Sequence, residues 1–138
     1  MDREGAQAWL DRYVAAWRSY DRDEVADLFS PDVAYRYHPY DEPVTGRDAV
    51  VASWLGDQGD GPASGTASTR DAPDTYDAHY APVAVDGDTV VATGRSTYRD
   101  TPDGPVVQVY ENCFVIRFDA HGRCREFTEY FIERPAGR

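Results

Sequence analysis

Apolar residues recur at spacings of three and four near the start of the chain. Ala6, Trp9, Leu10, Tyr13, Val14, Trp17 and Tyr20 form one stripe, which predicts an amphipathic helix over about 6–20 laid against a core. Asp21 opens a second, short helix, with Glu24 three residues on as a variant of the capping box. Val25, Leu28 and Phe29 form its buried face and Pro31 ends it. Val33 to His38 is dense in tyrosine and β-branched residues and reads as a strand. Pro39 and Pro43 signal a turn. Thr45, with Asp48 three residues later, suggests an N-cap for a helix over about 47–55 that buries Val50, Val51 and Trp54 and stops at Gly56. Residues 57–74 hold no large apolar side chain. They are expected to form a flexible loop, either a lid over a site or a plain connection.

From Thr75 onward the period changes to two. Strands are expected over about 75–85, 88–100, 105–118 and 123–133, joined by turns at Asp86-Gly87, Thr101–Pro105 and Asp119–Gly122. Helices first and an antiparallel meander afterwards predict an α+β domain, with helices on one face of a curved sheet. The whole chain, 1–138, is expected to be one domain.

Strict alternation then assigns side chains to faces. The turns set a row of His79, Gly94, Asn112 and Glu129. Asp77, Ser96, Tyr110 and Phe131 flank it on one side, and Ala81, Ala92, Phe114 and Phe127 on the other. Tyr110, Phe114, Ile116 and Phe118 share the more apolar face of their strand, so Asn112 and Glu129 are expected inside, beside the space left by Gly94. A polar pair among aromatic rings next to a gap is the pattern of a small-molecule pocket. The same parity turns Asp77 and His79 inward and Tyr76 and Tyr80 outward, against simple hydrophobicity. A β-bulge would reverse it; outward tyrosines would otherwise face a dimer partner. Cys113 and Cys124 are expected too far apart along the ladder to form a disulfide.

The chain has 138 residues, 41% hydrophobic and 28% charged, which suits a folded globule. A formal charge of −11 argues against binding nucleic acid or an anionic membrane surface. There is no lysine, so Schiff-base chemistry is excluded. No apolar run is long enough to span a bilayer, and the first residues lack the apolar core of a signal peptide. With two cysteines, the expected location is the cytoplasm.

Several motifs carry a resemblance. They are Arg12-Tyr-Val-Ala-Ala16, Asp21-x-Asp-x-Val25-x-x-Leu-Phe29, a strand ending in His38-Pro39, Thr45-Gly-Arg-Asp-Ala-Val50, Ile116-Arg-Phe-Asp-Ala-His-Gly-Arg123 and Glu129-Tyr130. Together, over about residues 5–133, they resemble the nuclear-transport-factor-2-like superfamily. That group includes ketosteroid isomerases, SnoaL-type polyketide cyclases and limonene epoxide hydrolases. The resemblance implies a cone-shaped, curved antiparallel sheet wrapped around three N-terminal helices and enclosing a pocket. It also implies a homodimer paired through the convex sheet face. In ketosteroid isomerases a tyrosine on the first helix donates to the enolate oxygen, and Tyr13 matches it. Their general base, an aspartate before a proline, falls at His38 with Tyr37 before it, and either could point inward. Their second acid maps near Phe114, with Asn112 one inward position away, so that carboxylate pair is not reproduced. Glu129 is the closest match to the acid/base carboxylate of the cyclases.

The candidate catalytic residues are therefore Glu129, His38, Tyr13 and Asn112. A carboxylate in an apolar cavity has its pKa raised toward neutrality, which suits proton transfer. Histidine titrates near neutral pH. A phenol and an amide can hold a developing oxyanion. His79, Tyr37, Trp17, Trp54, Tyr110, Phe114, Phe127 and Phe131 are expected to line the pocket. No cofactor is implied, and no metal, which would need three converging ligands. The expected activity is cofactor-independent isomerase, cyclase or hydrolase chemistry by proton transfer on a small, apolar, cyclic carbonyl compound. The alternatives are a non-catalytic ligand-binding or dimerising module and a protein-docking subunit.

Overall fold

The computed structural model describes residues 1–56 and 71–135. Most of the expected 57–74 loop lies outside the described residues; 71–74 form a short turn that leads into the sheet.

Helix α1 spans Arg3–Ser19 and starts earlier than its apolar stripe, because the Asp2 carboxylate accepts the Gly5 N–H and caps it. Tyr20 ends it in the left-handed conformation (φ 49°). Asp21 caps α2, Arg22–Asp27, by accepting the Glu24 N–H at 3.0 Å, as its sequence spacing indicates. Phe29 is not in this helix. It begins β1, Phe29–Arg36, and Pro31 lies inside the strand rather than ending a helix. The ladder of β1 is irregular between Phe29 and Ala34, and such a stretch tolerates a residue without an N–H. A two-residue strand β2, Val44–Thr45, precedes helix α3, Arg47–Leu55. Thr45 does not cap α3. Gly46 takes that position at φ 93°, with no side-chain hydrogen bond.

The meander is β3 (Tyr76–Asp86), β4 (Thr89–Arg99), β5 (Val106–Phe118) and β6 (Cys124–Glu133). With β1 and β2 it makes one curved, unclosed six-stranded sheet in the order β2-β1-β6-β5-β4-β3. The sheet is not wholly antiparallel, since β1 runs parallel to β6. The helices cover its concave face. Trp9, Leu10, Val25, Leu28, Phe29, Phe114, Ile116, Phe118 and Phe127 are almost fully buried there, and the Trp9 indole N–H donates to the Leu28 carbonyl at 3.0 Å.

Register places the polar groups. Gly94 pairs with Asn112, as the sequence suggests. Asn112 pairs with Phe131, two residues from the expected Glu129, and Phe114 pairs with Glu129. The last connection is longer than a tight turn: the Asp119 carboxylate accepts the N–H groups of His121 and Arg123, and the first pair beyond it is Phe118 with Cys124. A slip of two keeps every side chain on its face. Strand β3 carries the bulge that would reverse its parity, between Pro82 and Ala84. Gly94 consequently faces Tyr80, and His79 faces Arg95. Tyr76 and Tyr80 are buried (8% and 3% exposed), whereas Asp77 and His79 are exposed, Asp77 accepting from Arg18 at the rim of α1. The outward tyrosines expected to meet a dimer partner are thus inside. The outer face carries Tyr130 and Ile132 instead, 45% and 73% exposed.

Gly94 is required by close approach. A Cβ there would lie 2.1 Å from the His79 carbonyl oxygen and 2.4 Å from Cδ1 of Tyr80. Gly94→Ala is expected to destabilise the fold by about 1–3 kcal/mol, through displacement of Tyr80 and strain in the β3–β4 pair. Chemical denaturation checks this; an unchanged midpoint would contradict the pairing.

Candidate active site

Between the helices and the concave face lies a cavity of about 280 Å³. Helix α1 supplies Tyr13 and Trp17, and its cap residue supplies Tyr20; β1 and its continuation supply Tyr35 and Tyr37; α3 supplies Ser53 and Trp54. The sheet contributes Tyr80, Ser96, Tyr98, Asn112 and Glu129, and Asp71 enters from the turn before β3. Aromatic rings dominate, and two carboxylates stand among them.

Glu129 and Asn112 are side by side. The Asn112 Nδ2 donates to Glu129 Oε2 at 2.9 Å, and the Ser96 hydroxyl donates to Asn112 Oδ1 at 3.0 Å. This chain orients both faces of the amide, so Asn112 positions the carboxylate. Burial pushes the Glu129 carboxyl from 4.5 up to about 7, against the opposing pull of the Asn112 hydrogen bond and the nearby His38. Tyr13 and Tyr35 share a hydrogen bond of 2.9 Å between their hydroxyls, so one O–H of the pair remains to donate elsewhere. Tyr37 is hydrogen-bonded to Ser53. Burial raises the pKa of Tyr13, Tyr35, Tyr37, Tyr80 and Tyr98, and the charge of Glu129 adds to the rise at each. These phenols remain protonated donors at any working pH.

Tyr37 rather than His38 faces the cavity. Alternation from the buried Val33 and Tyr35 gives the same answer. The His38 Nδ1 lies 2.8 Å from Asp41 Oδ2, and its ring stacks on Tyr40. His38 and His79 both line a separate groove that also contains Tyr130 and Ile132. His79 is turned away from Glu129 because of the β3 bulge, which corrects its inward placement. Phe114 and Phe127 are core rather than lining: both are buried, 4.8 Å apart between centroids. Tyr110 and Phe131 lie at an adjoining opening, which shares Asp71, Ser96, Tyr98, Asn112 and Glu129 with the main cavity. Phe131 is 41% exposed. Trp17 and Trp54 line the cavity as expected, and Trp54 meets Tyr13 at 87°. Among the described residues no three His, Cys, Asp or Glu side chains are grouped to hold a metal ion.

Sequence reasoning puts Ser96 on the inward face beside Asn112 but misses Tyr20, Tyr35, Ser53, Asp71, Tyr80 and Tyr98. Parity along β1 would have found Tyr35. Tyr80 required the bulge, and nothing in its neighbours marked Asp71.

A model of the SnoaL-like domain matches residues 10–127. The fold also matches a crystal structure from Kribbella flavida DSM 17836, provisionally described as a ketosteroid isomerase, with a TM-score of 0.65. That match has 17% sequence identity and covers 99% of this chain and 84% of the other. At such identity the likeness concerns the fold alone. No curated protein matches the chain.

The raised pKa fixes a sign for stability. Folded protein keeps the Glu129 proton where the unfolded chain has lost it. The group's contribution is therefore full below about 4.5 and is lost as pH rises through about 7. Relative to Glu129→Gln, wild-type stability is expected to fall by on the order of 3 kcal/mol across that window. Carboxyl-resolved NMR or infrared titration should place the midpoint near 7, and Asn112→Leu, which removes a donor to the ionised form, should move it higher. A Glu129 midpoint in the ordinary carboxylate range would contradict the burial argument.

Proposed function

The chain belongs to the SnoaL-like domain family, and we propose that it is a cofactor-independent enzyme that moves a proton on a small, ring-containing carbonyl compound. The observation that carries this is the carboxylate of Glu129 inside an aromatic cavity, fixed by Asn112, with its pKa raised to about 7. Such a group is ionised often enough to take a proton and protonated often enough to return it.

The step is conserved in atoms. Glu129 removes a proton from the carbon next to the carbonyl, and the C–H electron pair moves to make an enolate. The protonated acid then returns the proton to the same or a conjugated carbon. Tyr13 and Tyr35 supply the remaining hydroxyl hydrogen toward the oxygen on which charge develops. Asn112 fixes Glu129 with one of the two N–H groups of its amide, and its carbonyl oxygen is held by Ser96. His38 does not line the cavity and is held by Asp41 instead.

Cyclic ketones, 1-tetralone and 2-cyclohexenone among them, can be screened by NMR in D2O for deuterium uptake beside the carbonyl. Enzyme-dependent exchange is expected for some, reduced roughly 100- to 10,000-fold in Glu129→Gln with the fold retained. No exchange with any ketone, or equal exchange in the variant, would end the assignment.

The homodimer belongs to this proposal too, through the outer sheet face that carries Tyr130 and Ile132. Light scattering should show a dimer that Ile132→Asp weakens.

A further inference from the structure

The cavity holds a second carboxylate that the proton-transfer scheme does not use. Asp71 lines both the main cavity and the adjoining opening, and Glu129 lines both with it. Its position is built. The Trp17 indole N–H donates to Asp71 Oδ2 at 2.9 Å, and the Asp71 backbone N–H donates to the Tyr20 hydroxyl at 3.2 Å. Trp17 is itself fixed, stacked on Tyr76 with centroids 4.4 Å apart, while the Tyr76 hydroxyl donates to the Trp17 carbonyl at 2.7 Å. The carboxylate therefore stands on a rigid aromatic footing. Burial raises its pKa from the usual 3.8, and the Trp17 hydrogen bond opposes that rise.

Asp71 and Glu129 are not in contact; each is held by its own donor, Trp17 for one and Asn112 for the other. Tyr80 and Tyr98 line the same cavity as both carboxylates, and the charge of each carboxylate raises the pKa of both phenols. An ionised carboxylate only accepts hydrogen bonds, and Trp17 engages a single oxygen of Asp71. A purely apolar ligand filling the cavity would desolvate that carboxylate further and give nothing back. A ligand that brings an O–H or N–H to this end would replace the lost water.

We propose that Asp71 is a recognition residue that accepts a hydrogen bond from a hydroxyl or amine on the ligand, at a point of the cavity distinct from the Asn112-held Glu129. The ligand is then not a bare ring ketone. It is a ring carbonyl compound that also carries a hydrogen-bond donor, separate from the carbon that Glu129 would deprotonate. This rests on the cavity being the ligand site, and it adds a specificity element to that reading.

Binding to the full chain can be measured by calorimetry with 1-tetralone and with 1-tetralones bearing a hydroxyl or an amine at ring positions 5, 6 or 7. At least one substituted ketone should bind tenfold or more tighter than 1-tetralone, and hydroxyl against amine distinguishes the two donors. In Asp71→Asn, which can present a donor to the ligand instead of an acceptor, that advantage should shrink to less than threefold, while 1-tetralone, relieved of desolvating a carboxylate, should bind at least as tightly as it does to the wild type. Asp71→Ala should behave alike. Equal affinity for substituted and unsubstituted ketones, equal loss for all of them in the variants, or no binding by any of them would overturn the proposal. A tetralone that exchanges deuterium without any donor advantage sinks only this inference. A donor advantage without exchange sinks only the proton-transfer reading.

Discussion

An ionisable carboxyl group loses its hydration when it is placed among tyrosine and tryptophan rings, and its charged form suffers most. At Glu129 one amide limits that loss. Asn112 gives an N–H to the carboxylate and takes a hydroxyl hydrogen from Ser96, so the side chain has one orientation and a pKa close to neutrality. Without burial the group would be an ordinary surface glutamate. Without Asn112 it would be held mainly as the neutral acid. The balance needs both a hollow concave face and a β4–β5–β6 register that sets Ser96, Asn112 and Glu129 within reach of one another.

The hollow depends on how the sheet is dressed. Gly94 has no side chain, and Tyr80 lies over it. The β3 bulge turns Tyr76 and Tyr80 inward; Tyr80 joins Tyr13, Trp17, Tyr35 and Tyr98 as walls, and Tyr76 stacks on Trp17. Deeper in, Phe114, Phe127 and Trp9 fill the narrow end solidly. Rigid rings below and hydroxyl-bearing rings above give a floor that does not collapse and walls that can donate hydrogen bonds. Membership of the SnoaL-like family fits this architecture, but a fold shared by 194 matching solved chains does not choose a reaction. The side chains in the cavity have to do that.

Much of the molecule was legible before any coordinates. The α1 stripe, the Asp21 cap and the β4–β5 pairing follow from spacing alone. So does the inward placement of Asn112 and Glu129, because a pleated strand alternates and a slip of two residues preserves the face. The boundary at Phe29 was misread because Pro31 looks like a helix stop; in an irregular stretch of strand, a missing N–H breaks nothing.

What the sequence determined by itself was therefore local: periodicity, caps, and the polar character of the β5 and β6 faces. Tertiary structure decided the rest. A one-residue bulge at Pro82–Ala84 reversed the faces of β3, which moved His79 out and Tyr80 in. The return of the chain at residue 71 set Asp71 against Trp17, from a stretch whose composition marks no element. The buried character of Tyr76 and Tyr80 raises the bulge as an alternative without choosing it, and the Asp71 contact leaves no mark in the sequence at all. A bulge is a choice among nearly equal pairings, settled by which side chains the helices can cover, and a contact between residues far apart in the chain has no periodic trace.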